Sequence, residues 1–284
     1  MTPSATLWTW LTAARLWRRR HRRSSVGEWD AARSAWVRQH APGKSFADIG
    51  GLYQRDGGIA FEAEAAGASA VTLFDAGDPG FTFFDQHHAA RKSEVRFIQG
   101  GLEEPQSVAR IGPHDIVWCT GVLYHTPNPV WQLMQLRAIT SELLYLGTQP
   151  LPDLPGLRHA CIYYPYLPAG DRRAYASAHW KPLRKQLLGI GTPFDERAMY
   201  GHGNFWWGIS RSALRAMLRT AGFEVVEEFT RRDSPFLTEL VAKPLARDPL
   251  IPPLSYFRER QEARDRGEGQ LPFADFYDQS REKE

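Results

Sequence analysis

The chain has 284 residues, of which 43% are hydrophobic and 24% charged, and its formal net charge is +3. This composition is ordinary for a soluble globular protein with a sizeable core, and the charge alone does not require a nucleic-acid partner. The two cysteines, Cys119 and Cys161, lie far apart and lack CxxC spacing, which argues against a zinc site or a disulfide framework. We therefore expect a cytoplasmic protein with reduced thiols and no metal.

Residues 1–43 are predicted to form a basic helical extension. The apolar run Leu7–Leu11 precedes a stretch rich in arginine, from Arg15 to Arg23. The run is too short to span a bilayer, and the order of apolar and basic residues is wrong for a signal peptide. Such a segment either contacts phosphates or an anionic membrane surface, or packs its tryptophans on the domain and solvates its arginines, which is the interpretation that we prefer. Apolar spacing predicts a second helix over Val26–His40.

The stretch from residue 46 to residue 75 has the order of a nucleotide-binding βαβ unit. It contains an apolar run, a glycine-bearing turn, an alanine-rich amphipathic segment and a second apolar run, at Phe46–Ile49, Gly50–Gly58, Ile59–Ala66 and Ala70–Phe74. Glycine allows a tight turn and a close approach to a ligand, and an acid after the second strand, Asp75, can accept ribose hydroxyls. The alternative is a structural βαβ unit with ordinary loop glycines.

The later elements predict an α/β fold. Further strands are expected at Val95–Gln99, Asp115–Cys119, Glu142–Thr148, around Val225 and at Phe236–Lys243, and further helices at Glu104–Arg110, Val130–Ile139 and Arg211–Thr220. Continuous apolar runs, rather than alternation, indicate a parallel sheet that is buried on both faces. The last two strands are expected to form an antiparallel pair at the end of this sheet.

Residues 44–244 are expected to form the main domain, and residues at about 150–207 an insertion within it. The insertion is rich in Pro, Tyr, Trp and Arg, and a connection of this length is typical of a lid or a substrate-binding segment. Residues 245–284 are proline-bearing and then highly charged, which is typical of a surface tail.

Four features in order resemble class I S-adenosylmethionine-dependent methyltransferases. They are Asp48-Ile49-Gly50, Asp75, the segment DIVWCTGVLYHTPNP from Asp115, and FWWGISRSALRAMLRTAGFEVVEEF from Phe205 with the closing strand TELVAKP. The resemblance covers roughly Lys44 to Pro244. It implies a Rossmann-like seven-stranded, mostly parallel sheet with helices on both faces and an antiparallel last strand. The VLYHxxxP segment is also similar, more loosely, to the subgroup of tRNA wobble-uridine carboxymethyltransferases.

The resemblance implies S-adenosyl-L-methionine as the cofactor and assigns residues to it. The cofactor-binding residues would be Asp48, Gly50, Gly51, Asp75, Ala76, Leu102, Cys119, Thr120 and Gly121. The candidate catalytic bases are Tyr124, His125 and His202; the alternative for His125 is a histidine that fixes the loop backbone, and that for the His202 region is a core segment. Two departures from the family pattern are Leu52, where a further glycine is common, and Gly101, where many relatives carry an acid.

Three functions are compatible with these features. The first is transfer of a methyl group to a small-molecule acceptor, a sugar or a secondary metabolite, by direct in-line displacement. The second is methyl or carboxymethyl transfer to tRNA, for which Arg15–Arg23 and Lys181, Arg184 and Lys185 could contact phosphates. The third is a non-catalytic interaction protein that retains the fold, which the irregular glycine turn would favour.

Overall fold

The computed structural model describes residues 26–53, 55–151, 153, 156, 158–171, 194–197, 204–230, 237–246 and 266–267, with the backbone alone for 26–29 and 230. The chain divides into two units, Met1–Leu245 and Ala246–Glu284, and the elements below belong to the first. Predictions for Leu7–Leu11 and the following arginines, for most of the tail and for the middle of the insertion lie outside the described residues.

Seven strands of the described residues form one mostly parallel sheet. They are β1 Ser45–Ile49, β2 Ala70–Asp75, β3 Arg96–Gln99, β4 His114–Thr120, β5 Thr140–Thr148, β8 Phe223–Thr230 and β9 Thr238–Pro244. Their spatial order is β3-β2-β1-β4-β5-β9-β8. Strands β1 to β5 are parallel, and β9 is antiparallel to both of its neighbours. The carboxyl ends of five strands therefore meet at one edge of the sheet.

The helices cover both faces of this sheet. They are α1 Val26–His40, α2 Gly58–Ala65, α3 Phe84–Arg91, α4 Pro105–Ile111, α5 Pro129–Ile139 and α6 Arg211–Thr220. One core cluster joins Trp36 of α1 and Phe61 of α2 to Trp118 of β4. The other joins Leu133 of α5 and Leu214 of α6 to Cys119 of β4. Because Trp118 and Cys119 are neighbours in one strand, their side chains lie on opposite faces of the sheet, and both faces are buried.

The predicted Rossmann-like sheet, with helices on both faces and an antiparallel last strand, is confirmed. The predicted bounds of α1 and α6 agree with the structure. At α6, the Ser210 side chain accepts a hydrogen bond from the Ala213 N–H, and Gly222 follows the helix with a φ of +90°. These end signals lie in the sequence itself, which is why the helix could be bounded without a structure.

Strand β5 and the insertion differ from the expectation. Strand β5 begins at Thr140, directly after α5, whereas the sequence predicted its start at Glu142. Thr140 has already left the helical conformation, with φ −99° and ψ 118°, so no connecting turn separates the helix from the strand. The insertion also contains the antiparallel ribbon of β6 Cys161–Tyr163 and β7 Trp207–Ile209, where the sequence indicated a connection without strands.

Among the described residues, none of the helices combines the length and the apolar character that crossing a membrane requires.

Candidate functional site

The glycine turn after β1 is built for close contacts. Gly50 has a φ of +78°, and its N–H donates to the Phe74 carbonyl oxygen at 2.7 Å. A Cβ at Gly50 would lie 2.3 Å from Val122 Cγ2, and one at Gly51 would lie 2.3 Å from Asp48 Oδ2. Neither position can hold a side chain without displacing its neighbours, so the backbone itself forms the surface here.

Asp48 lies beneath this turn and is almost completely buried. Its Oδ2 atom is buried without a hydrogen-bond partner among the described residues. Burial, followed by the negative charge of Asp75, raises the pKa of Asp48 to about 7, and a backbone hydrogen bond from Ala60 and the charge of Arg55 act in the opposite direction. A buried acceptor of this kind is costly unless a donor or a cation reaches it. Asp48 is therefore suited to a cationic ligand group.

Asp75 ties the end of β2 to the same turn. One carboxylate oxygen accepts the Leu52 N–H at 2.9 Å and the other accepts the Gly77 N–H at 2.7 Å. A carboxylate has about four acceptor positions, so these two bonds leave capacity for ligand hydroxyls. Ala76 follows Asp75, and its carbonyl accepts the Gln99 side-chain amide at 3.4 Å. The three residues from Asp75 to Gly77 thus form a polar shelf beside the glycine turn.

The departure at Leu52 has a structural explanation. The Leu52 side chain is 2% exposed and belongs to the core cluster under α1 and α2. The turn is closed beyond it, because the Gly57 N–H donates to the Gly51 carbonyl at 3.0 Å and the Asp56 N–H to the Leu52 carbonyl at 2.9 Å. The longer turn is therefore a compact hydrogen-bonded loop that uses Leu52 as its apolar anchor.

The segment after β3 runs beside this shelf. The Gly100 N–H donates to the Asp75 carbonyl at 3.0 Å, which extends the strand pairing past Gln99. Leu102 is 4% exposed and packs in the core cluster that also holds Ile98 and Val108. The assignment of Leu102 to an adenine ring stays a prediction.

The end of β4 supplies the floor between these elements and the next loop. Cys119 is fully buried, and burial together with the charge of Asp48 raises the pKa of its thiol, so the sulfur is a neutral thiol at neutral pH. The Thr120 hydroxyl accepts a hydrogen bond from Trp118 Nε1 at 3.3 Å. Gly121 has a φ of +83°, and its N–H donates to the Gly147 carbonyl at 2.9 Å.

Tyr124 lies in the short 3-10 turn Leu123–His125 that follows this floor. A Cβ at Gly121 would lie 3.4 Å from the Tyr124 hydroxyl oxygen, so the phenol lies over Gly121. Its ring stacks on Phe205 with parallel planes and 4.5 Å between the ring centroids. Burial raises the pKa of Tyr124 to about 12, against the smaller effects of a Gln149 hydrogen bond and the Arg33 charge. At neutral pH, the Tyr124 phenol is therefore protonated, and its assignment as a base stays a prediction.

His125 is fixed by the last segment of the insertion. Its Nδ1 atom lies 2.8 Å from the carbonyl oxygen of Asn204. A carbonyl can only accept, so Nδ1 carries the proton and the neutral ring has its basic lone pair on Nε2. His125 thus bonds to the backbone of the insertion rather than to the loop before Pro127, and it retains the tautomer that a general base needs.

The structure brings most of the predicted site residues to one edge of the sheet. Asp48, Gly50, Gly51, Asp75, Ala76, Cys119, Thr120 and Gly121 all lie at or just beyond the carboxyl ends of β1, β2 and β4. His202 lies outside the described residues. The arginines at 15–23 and the basic residues at 181–185, on which the RNA and membrane hypotheses depend, lie there too. Within the described part of the chain, no group of three His, Cys, Asp or Glu residues could hold a metal ion.

Four residues at this edge escaped the sequence-based assignment. Asn204 contacts His125, as described above. Arg33 of α1 reaches across the edge to the buried Glu239 of β9, with 2.7 Å between its Nε atom and the Glu239 Oε1 atom. The Tyr145 hydroxyl donates to the other Glu239 oxygen. The available signals were an acid inside an apolar strand and an arginine within α1, but neither points to its partner.

No family model matches the sequence. A stretch of 119 residues is 30% identical to the ubiquinone biosynthesis O-methyltransferase of Azotobacter vinelandii. This match covers 41% of the present chain and 49% of that protein, so it spans about half the length of the curated relative.

Several solved structures are similar in architecture. The N-terminal domain of EvdMO1 with S-adenosylhomocysteine bound has a TM-score of 0.48 and 19% identity, over 76% of this chain and 81% of that one. The magnesium protoporphyrin IX methyltransferase of Synechocystis with S-adenosylmethionine bound has a TM-score of 0.48 and 15% identity, over 81% and 89%. Both scores are below 0.5, so the description of the fold rests on the strand order and pairing given above.

Proposed function

We propose that the chain is an S-adenosylmethionine-dependent methyltransferase that acts on a small-molecule acceptor. The observation that carries this proposal is the buried Asp48 Oδ2 atom, which has no partner among the described residues and lies directly under Gly51. Its position at the carboxyl edge of a parallel sheet is where such folds bind ligands. The partial similarity to an O-methyltransferase supports the same reaction and favours a hydroxyl acceptor.

The residues present fit the two polar ends of the donor. The Gly50–Gly51 backbone would hold the amino-acid end, and the buried Asp48 carboxylate beneath it would order the turn or bind the ammonium group through a water molecule. Asp75 would hold the ribose, because its carboxylate retains acceptor positions beside the Leu52 and Gly77 bonds. Cys119, Thr120 and Gly121 would form the floor under the reacting methyl group.

S-adenosylmethionine supplies an activated sulfonium methyl group when it is bound. Held above Cys119, Thr120 and Gly121, the cofactor would give this methyl group to the acceptor oxygen and would leave as S-adenosylhomocysteine, with the electron pair of the carbon–sulfur bond on sulfur. The chain mainly aligns the two reactants. A hydroxyl acceptor loses its proton to Nε2 of His125, whose other nitrogen is already protonated toward Asn204. Tyr124 stays protonated and orients the acceptor by hydrogen bonding.

Calorimetric titration with S-adenosylhomocysteine tests this proposal. One site is expected, and adenosine should bind more weakly because it lacks the amino-acid end that Asp48 and the glycine turn would hold. Absence of binding to protein with a normal circular-dichroism spectrum would favour the non-catalytic interaction protein instead.

The acceptor class can be tested with methyl-labelled S-adenosylmethionine. The label should enter a small-molecule fraction of a cell extract, and it should not enter purified tRNA. Label in tRNA would support the second candidate and would contradict the small-molecule acceptor.

A further inference from the structure

Asn204 connects three parts of the site that are far apart in sequence. It is 5% exposed. Its backbone carbonyl accepts the His125 Nδ1 hydrogen, as described above. Its side-chain amide pairs with the backbone of Asp195, with 2.9 Å from the Asp195 nitrogen to Asn204 Oδ1 and 2.7 Å from Asn204 Nδ2 to the Asp195 oxygen. The amide is oriented unambiguously, because it meets one donor and one acceptor.

This pair places the aromatic part of the insertion next to the candidate base. The Asp195 carboxylate accepts the Arg197 N–H at 2.9 Å, which makes a compact turn after Phe194. The Phe194 ring packs edge-on against Trp206, with 5.0 Å between centroids. The backbone N–H of Trp206 in turn donates to the backbone carbonyl oxygen of Tyr124 at 3.0 Å. The insertion therefore meets the Tyr124–His125 turn through the residues on either side of Phe205.

We propose that Asn204 is a positioning residue that couples the aromatic segment of the insertion to the tautomer of His125. The inference rests on the proposed function, which assigns the basic Nε2 atom of His125 to the proton transfer described there. Asn204 does not touch the reacting atoms. The Asn204 side-chain amide binds the backbone of Asp195. The Asn204 carbonyl oxygen therefore stays opposite His125 Nδ1, and the basic lone pair of His125 stays on Nε2. An acceptor that packs on Phe194 and Trp206 would thus meet a base that is already oriented.

Nitrogen-15 NMR of the full chain tests this coupling without an acceptor or a cofactor. In the wild-type protein, neutral His125 is expected to carry its proton on Nδ1. Asn204→Ala removes both amide bonds, so the Nε2-protonated tautomer of His125 should gain population. Asn128→Ala is the matched control, because Asn128 is exposed and its side chain caps no helix. This control should leave the His125 signals as in the wild type.

Two results would overturn the proposal. One is a wild-type His125 with its proton on Nε2, which needs no variant and does not depend on how Asn204→Ala folds. The other is an unchanged tautomer in folded Asn204→Ala. Asn204→Ala and Asn128→Ala should both retain S-adenosylhomocysteine binding, since neither residue is among those assigned to the cofactor. Absence of S-adenosylhomocysteine binding to the wild type would contradict the proposed function. The tautomer of His125 could still be measured by NMR in that case.

Discussion

The Asp75 carboxylate accepts the backbone N–H of Leu52 at 2.9 Å, and this bond joins the end of β2 to the turn after β1. The same side chain also accepts the Gly77 N–H at 2.7 Å. One carboxylate therefore orders both loops that would surround a nucleoside. In the proposed site, Asp75 acts in two ways: it shapes the glycine turn, and it presents acceptor positions to ribose hydroxyls.

Asp75→Ala is expected to weaken S-adenosylhomocysteine binding by roughly 10- to 100-fold. Loss of a charged hydrogen-bond acceptor costs about 1.5–3 kcal/mol, and each 1.4 kcal/mol is about tenfold in affinity. Calorimetry measures the change. Asp78→Ala is the control, because Asp78 is exposed and its side chain accepts the Gly80 N–H at 2.8 Å on the next turn. Equal affinities of the Asp75 variant and the wild type would mean that the ribose site is assigned wrongly.

Gly51→Ala is expected to destabilise the protein and to reduce cofactor binding. Its Cβ would lie 2.3 Å from Asp48 Oδ2 and 2.5 Å from Leu73 Cδ1, so the turn must shift. Overpacking of this kind costs about 1–3 kcal/mol. Urea unfolding measures the loss. Gly58→Ala is the matched control: nothing lies within 4 Å of its Cβ position. Because alanine favours helix and Gly58 begins α2, this control should be neutral or slightly stabilising, and equal losses in both variants would contradict the close packing at Gly51.

The elements that could be predicted from sequence are those with local signals. Helix α6 has a serine before it and a glycine after it, and the β1 and β2 runs carry acids at the penultimate and the last position, at the expected edge. The contact of His125 with Asn204 spans 79 residues, and the pair of Arg33 and Glu239 spans 206. Apolar periodicity reports which face of an element is buried, and it carries no information about which polar groups meet across the fold.

The environment of Asp48, at the centre of the candidate site, was also not predictable from the sequence. The sequence predicted an acid at the start of the glycine turn. Its burial depends on how α2 packs over β1, and its unpaired oxygen depends on the path of Gly51. Both are tertiary properties, so the residue type was predictable and its raised pKa was not.

Glu239→Ala is expected to lower the free energy of unfolding by about 3–5 kcal/mol, since it removes the carboxylate that Arg33 and Tyr145 both bind. The side chains of Arg33 and Glu239 are 19% and 3% exposed. Urea unfolding measures the effect. Glu142→Ala breaks the exposed pair with Lys44 and should change stability far less. Similar losses in the two variants would show that the link from α1 to β9 contributes nothing specific.

Asp48 should make the stability of the ligand-free protein depend on pH. Burial, and then the charge of Asp75, raise its pKa to about 7 in the folded protein, whereas an unfolded aspartate titrates near about 4. The folded state therefore binds this proton more tightly. Its stabilising effect is complete below about pH 4 and is lost as the pH rises through about 7.

Asp48→Asn removes the titration and keeps the shape of the side chain. Between about pH 5 and about pH 8, the wild type should lose roughly 2–3 kcal/mol of unfolding free energy more than the variant loses, as measured by urea unfolding at both pH values. Parallel pH dependence in the two proteins would contradict the raised pKa. Asp75→Ala should reduce the dependence without abolishing it, because burial is the larger cause and the charge of Asp75 the smaller. An Asp75 variant with no remaining dependence would instead identify the neighbouring charge as the main cause.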